Sequence, residues 1–134
     1  MTEQAREVAE RYCAAWLAGD LGALLDCYAD EFTLHYFGRS RFAGDHVGKQ
    51  AAVTALLEVG AAAPRTLLGV DEITSAPGAA VIVARERLEG GGESFEVRRL
   101  FRYRIDGDQL VECWLYDEDQ TLIDRLWAGG GGGC

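Results

Sequence analysis

Positive charge is scarce in this chain: 13 Lys and Arg stand against 22 Asp and Glu in 134 residues, a formal net charge of -9. With a pI near 4.6, neither nucleic acid nor an anionic membrane is an expected partner, because both are held by basic surface. Long apolar runs are also missing. Nothing approaches the roughly 18 residues of a membrane span, and the opening MTEQAREVAE has no apolar stretch of the signal-peptide kind. The expected location is cytoplasmic. Cys13, Cys27, Cys113 and Cys134 show no CxxC spacing. The first three lie in apolar patterns, where a free thiol behaves as a small hydrophobe, so neither disulfide nor zinc is expected. His35 and His46 lack cysteine or carboxylate companions at ligand spacing, which leaves no metal site. Glycine loops of the phosphate-binding kind and serine-nucleophile motifs are absent, so no cofactor is expected.

What is present fits one domain with a pocket. At 14.6 kDa the chain buries a core of useful size. Ala5, Val8, Ala9, Tyr12, Cys13, Trp16 and Leu17 recur at helical spacing and predict a first amphipathic helix. Gly19 ends it and Asp20 caps a second, carrying Leu21, Leu24, Leu25 and Tyr28. A strand follows over Phe32 to Phe37, then a glycine-punctuated loop, GRSRFAGDHVGK, and a third helix over Lys49 to Val59. The pattern then becomes extended. Strands are predicted over Thr66 to Ile73, Ala79 to Glu89, Ser94 to Ile105 and Gln109 to Asp117, joined by Ala76-Pro77-Gly78, Gly90-Gly91-Gly92 and Asp106-Gly107-Asp108. A terminal helix runs from about Asp119 to Trp127. Residues 1–127 form the domain, and 128–134, AGGGGGC, read as a flexible Gly-rich tail. Helices gathered first and strands last predict an α+β fold, a curved antiparallel sheet wrapping helices on one side.

The order of these elements, with ERYCAAWLAGDLGALLDCYADEFTLHYFG, GRSRFAGDHVGK and VECWLYDEDQTLIDRLW, resembles the SnoaL-like branch of the nuclear-transport-factor-2-like superfamily over residues 4–127. The resemblance implies a cone-shaped fold with an internal apolar pocket, a homodimer formed through the outer sheet face, and any of several roles: ketosteroid isomerase, polyketide cyclase, epoxide hydrolase, dehydratase or binding protein. It places Tyr12 where the isomerases keep an oxyanion-donating tyrosine. Their general-base aspartate falls at or beside His35-Tyr36 and their oxyanion-hole aspartate near Phe101. The epoxide hydrolases' arginine aligns with Arg85, and their flanking aspartates with Arg87 and Tyr116.

His35 is the first catalytic candidate, since imidazole exchanges protons near neutral pH. Strand alternation puts Thr33, His35 and Phe37 on one face, which the hydrolase alignment turns inward towards Tyr12 and Trp16. For the last strand two phases stand open: Glu112, Trp114 and Tyr116 inward, the favoured one, or Cys113, Leu115 and Asp117. Arg85 or Arg99, whichever faces the cavity, is a candidate for a substrate oxygen. The other arginines are expected to pair with Glu86, Glu93 and Glu96 on the outer face. The expected function is cofactor-independent acid/base cyclisation, isomerisation or dehydration of a small apolar carbonyl compound. His35 would move the proton and Tyr12 or Tyr116 would stabilise the oxyanion; Trp16, Tyr28, Phe37, Phe101 and Trp114 would shape the pocket. The alternatives are a binding protein without chemistry, and an epoxide hydrolase using Glu112 or Asp117 as base.

Overall fold

The structure, a computed structural model, describes residues 2–40, 42–62, 64–90 and 92–132. Helices α1 (Thr2–Ala18) and α2 (Leu21–Asp26) lead into β1 (Tyr28–Tyr36), β2 (Gly44–Val47) and α3 (Lys49–Ala62). Strands β3 (Arg65–Ala76), β4 (Ala79–Gly90), β5 (Glu93–Asp106) and β6 (Gln109–Asp117) precede α4 (Gln120–Gly132). The break between α1 and α2 is local chemistry: Gly19 takes φ 69, which a residue with a Cβ resists, and the Asp20 carboxylate accepts from the Ala23 amide at 3.1 Å.

The six strands form one curved, open sheet in the order β2-β1-β6-β5-β4-β3. Pairings are antiparallel except β1 with β6, which run parallel. Register shifts in β3 at Leu67/Gly69 and Val70/Glu72, and in the β5–β6 pair after Arg104, bend the sheet. Its concave face takes α1 and α3. There Phe32, Leu34, Ile82, Leu88, Phe101, Tyr103, Leu110 and Leu115 are buried with Val8, Ala9 and Val59 of the helices. Strand β5 follows the predicted alternation: Val97, Arg99, Phe101, Tyr103 and Ile105 are buried while Arg98, Arg102 and Arg104 are exposed.

Several boundaries differ from the sequence pattern. Tyr28 opens β1 instead of closing α2, because the helix stops at Asp26 and Cys27 is already a cap. The segment read as a loop contains β2, whose Asp45 lies opposite His35. Helix α4 runs to Gly132, five residues past Trp127. Cys134 lies outside the described residues.

Candidate functional site

The concave face encloses a cavity of about 360 Å³, within the usual range for small-molecule sites. Its walls are Tyr12 and Trp16 of α1, Leu24 of α2, Leu56 and Leu57 of α3, and Tyr28, Phe32 and Leu34 of β1. Arg65, Phe101, Tyr103, Cys113 and Leu115 close the remainder. Trp16 meets Phe101 edge-on at 5.3 Å between ring centroids. Of the residues expected to shape the pocket or act in it, Tyr12, Trp16, Tyr28 and Phe101 line this cavity. Tyr103 and Arg65 were missed as lining residues. Tyr103 shares strand phase with Phe101, so alternation could have found it; Arg65 directly follows Pro64 and has no such signal.

Polar atoms in this cavity are organised around Tyr12. Its hydroxyl and that of Tyr28 are 2.6 Å apart and share a hydrogen bond, and Tyr103 joins them, with Cys113 in turn beside Tyr103. Burial pushes Tyr12 up to about 12 against the lowering effect of its tyrosine bonds. Burial likewise raises Tyr28, Tyr103 and Cys113. All four groups hold their protons at neutral pH and act as fixed hydrogen-bond donors and acceptors, not as bases.

A second polar group lies beside the cavity on the same face. Arg99, fully buried, grips Asp117 through Nε at 2.5 Å and Nη2 at 3.2 Å, reaches Glu86 at 3.4 Å, and donates to the Tyr36 hydroxyl at 3.0 Å. Glu86 is held from the other side by Arg65 at 2.7 Å. Burial would lower the Arg99 pKa, but Tyr36, Asp117 and Glu86 outweigh it and hold the guanidinium charged. Arg99 thus faces inward as one of the two proposed arginines, yet it is not among the described residues lining the cavity. Glu86, expected on the outer face, is buried because Ala84, Glu86 and Leu88 share the inner phase of β4.

The catalytic candidate sits on the opposite side. In β1 Phe32, Leu34 and Tyr36 are buried, and His35 faces outward. In β6 Cys113 and Leu115 point inward and Glu112, Trp114 and Tyr116 outward, the reverse of the favoured phase. Leu110 and Val111 are both buried where the β5–β6 register shifts, and this bulge sets the phase of the rest. The outer residues form their own cluster. His35 bonds Asp45 through Nδ1 at 2.7 Å and Glu112 through Nε2 at 2.5 Å, and stacks on Trp114 at 5.1 Å. Arg104 holds the other Glu112 oxygen at 3.1 Å, and Arg102 covers Trp114 at 4.6 Å. Burial lowers the His35 pKa, but its hydrogen bonds to Glu112 and Asp45 more than reverse this and raise it above 6.5; the His35 bond in turn lowers Glu112 below 4.5. With a carboxylate on each ring nitrogen, both nitrogens are already engaged and the protonated ring is favoured. Phe37 and Tyr116 stack nearby at 5.0 Å, 40% and 42% exposed. Arg85 pairs with Asp71, also away from the cavity.

Among the described residues no three His, Cys, Asp or Glu converge as metal ligands, and no helix there is long and apolar enough to cross a membrane.

The family pattern of the SnoaL-like domain matches residues 9–113, most of the chain. The protein belongs to the SnoaL-like family. Its fold is that of the nuclear-transport-factor-2-like superfamily. An uncharacterized protein of Mycobacterium tuberculosis is 25% identical to this SnoaL-like domain over 131 residues, covering 96% of this chain and 100% of the relative. Bal32a, from a soil-derived mobile gene cassette, superposes with a TM-score of 0.80 at 24% identity, covering 94% of this chain and 98% of its own. TerC, co-crystallized with polyporic acid, superposes with a TM-score of 0.78 at 9% identity, covering 92% and 98%. At these identities the two structures share the fold with this SnoaL-like domain and nothing narrower.

Proposed function

We propose that this domain captures a small, largely apolar molecule bearing a carbonyl or hydroxyl oxygen, with the hydrogen-bonded tyrosines receiving that oxygen. The observation that carries this reading is an aromatic cavity whose described polar lining is Tyr12, Tyr28, Tyr103, Cys113 and Arg65. The Tyr12 and Tyr28 hydroxyls carry two hydrogens and consume one in the bond between them, so the pair keeps one to donate to a ligand oxygen. TerC, which shares the fold, was co-crystallized with polyporic acid, and that compound is the first probe for this domain.

Binding is favoured over turnover because the nearby carboxylates, Glu86 and Asp117, are neutralised by arginines, and His35 with Glu112 faces the other way. A second reading is proton transfer on an enolisable carbonyl compound, of the cyclase or isomerase kind. It draws on Tyr12, a preorganised donor where negative charge would develop. Deuterium incorporation from solvent into a bound ketone would favour it.

Fluorescence titration and thermal-shift measurements with polyporic acid test the binding reading. Saturable binding is expected, weakened about tenfold by Tyr12→Phe, the value of one hydrogen bond near 1.4 kcal/mol. Absence of saturation, or binding indifferent to both Tyr12→Phe and Trp16→Ala, would overturn it.

We also propose a homodimer through the outer sheet face, where Leu100 and the Phe37–Tyr116 stack are exposed between charged neighbours. A scattering mass near twice 14.6 kDa is expected, and a monomer mass at micromolar concentration would contradict it. The buried free thiols Cys13, Cys27 and Cys113 suit a reducing cytoplasmic setting.

A further inference from the structure

Arg65 is the one charged side chain among the described residues that line the cavity. Its setting is unusual for a cation that exists only to neutralise a buried carboxylate. Nε and Nη2 both turn to the same Glu86 oxygen, at 2.8 and 2.7 Å. Glu86 is fixed from behind by Arg99, and Arg99 by Asp117. The guanidinium is thereby held in place by a chain of ion pairs running out of the cavity wall, while its Nη1 group has no hydrogen-bond partner among the described residues. The side chain is 17% exposed. Its guanidinium carbon lies 6.0 Å from the Trp16 ring centroid, and its charge acts on the Tyr12 and Tyr28 hydroxyls. A ligand oxygen near Arg65 would thus be within reach of one fixed cationic donor and neighbouring neutral ones, beside a flat aromatic wall.

Desolvating a ligand carboxylate in such a cavity is prohibitive without a paired charge. The chain as a whole carries -9 and gives an incoming anion no long-range help, so a local cation has to supply the attraction. We propose that the ligand is an apolar acid, a carboxylate or an enol acidic enough to ionise at neutral pH, and that Arg65 selects for its negative oxygen. This rests on the cavity reading above and adds the charge of the ligand and the residue that reads it.

A matched pair of probes separates the two. Biphenyl-carboxylic acid and its carboxamide have nearly the same shape and differ in charge. By calorimetry at neutral pH, the acid is expected to bind the wild-type protein at least tenfold tighter than the amide. Arg65→Met should bring the acid down to the level of the amide, with amide affinity changed less than about twofold. Arg65→Met with Glu86→Gln removes both charges of the pair, and should give the same loss of preference if the single variant does not fold. Equal affinity of acid and amide in the wild type, or a preference that survives in either folded variant, would overturn the assignment to Arg65. If both probes bind equally and Tyr12→Phe weakens them, the cavity reading stands and the acidic ligand falls. If neither probe binds, both fall.

Discussion

The two faces of the sheet carry ion clusters made from the same kinds of residue, and they behave differently. Inside, Arg99, Glu86 and Asp117 are almost wholly removed from water, and Arg65 joins them at the cavity edge. Outside, His35, Glu112, Asp45 and Arg104 keep partial access to it. A buried pair gives little net stability relative to an apolar substitute, yet breaking it strands a charge in a medium that cannot solvate it. A half-exposed pair gives little either way, because water and salt compete for both partners. The inner cluster therefore acts as a rigid foundation for the cavity wall through Arg65. The outer cluster is adjustable, with a histidine whose charge is set by pH.

Removing the inner hub should produce the largest effect. Arg99→Met leaves Asp117 buried without its fork and Glu86 with Arg65 alone, so a loss of about 3–5 kcal/mol is expected in urea unfolding. A loss under about 1 kcal/mol would mean that water reaches the cluster and would erase the contrast between the faces. Tyr36→Phe removes only the hydroxyl that accepts from Arg99 Nη2, and about 1.5–3 kcal/mol is expected from the lost bond to a charged group.

The outer face should respond to pH instead. The folded His35 value is raised above 6.5, so its stabilising contribution is complete below that pH and disappears as pH climbs through the raised value. The folded Glu112 value is lowered below 4.5, so its contribution is complete above that pH and disappears as pH falls through the lowered value. Both operate together between 4.5 and 6.5. Urea midpoints should decline on the alkaline side of this window, and His35→Gln should flatten that decline. An unchanged slope in the variant would show that His35 is not the titrating element. The smallest change is expected for Arg104→Ala, under about 1 kcal/mol, since Arg104 is more than half exposed beside Glu112. A larger loss would mark the outer face as covered, as a dimer would cover it.

The sequence made the architecture plain wherever one face of an element is largely charged. The β5 run sets Phe101 and Tyr103 against Arg102 and Arg104, so its phase is unambiguous, and the turns around Gly78 and Gly107 fix the β3–β4 and β5–β6 hairpins. Strands β1 and β6 carry large apolar or aromatic side chains on both faces. Phe32, Leu34 and Tyr36 compete with His35 and Phe37, and Cys113 and Leu115 with Trp114 and Tyr116. Alternation alone has no preference there, and the bulge at Leu110 and Val111 decided β6. Asp45 was hidden because β2 is four residues between glycines. Tyr12 and Trp16 were legible as cavity residues because helical spacing ties them to a face with Ala5, Val8 and Ala9 that must be buried.

The parallel pairing of β1 with β6 has a consequence for how the chain assembles. Thr33 lies beside Glu112 and Tyr36 beside Leu115, so the first long strand meets its inner neighbour only after nearly the whole chain has been made. Until β6 arrives, β1 can pair only with the short β2, and the β3–β4–β5 meander, built from local turns, can form first. On a ribosome, α1, α2 and β1 would emerge early and wait, with Leu34 and Tyr36 lacking the cover that Leu110, Cys113 and Leu115 bring. A nascent chain stopped before Gln109 is expected to leave that strand open to chaperones or to other chains.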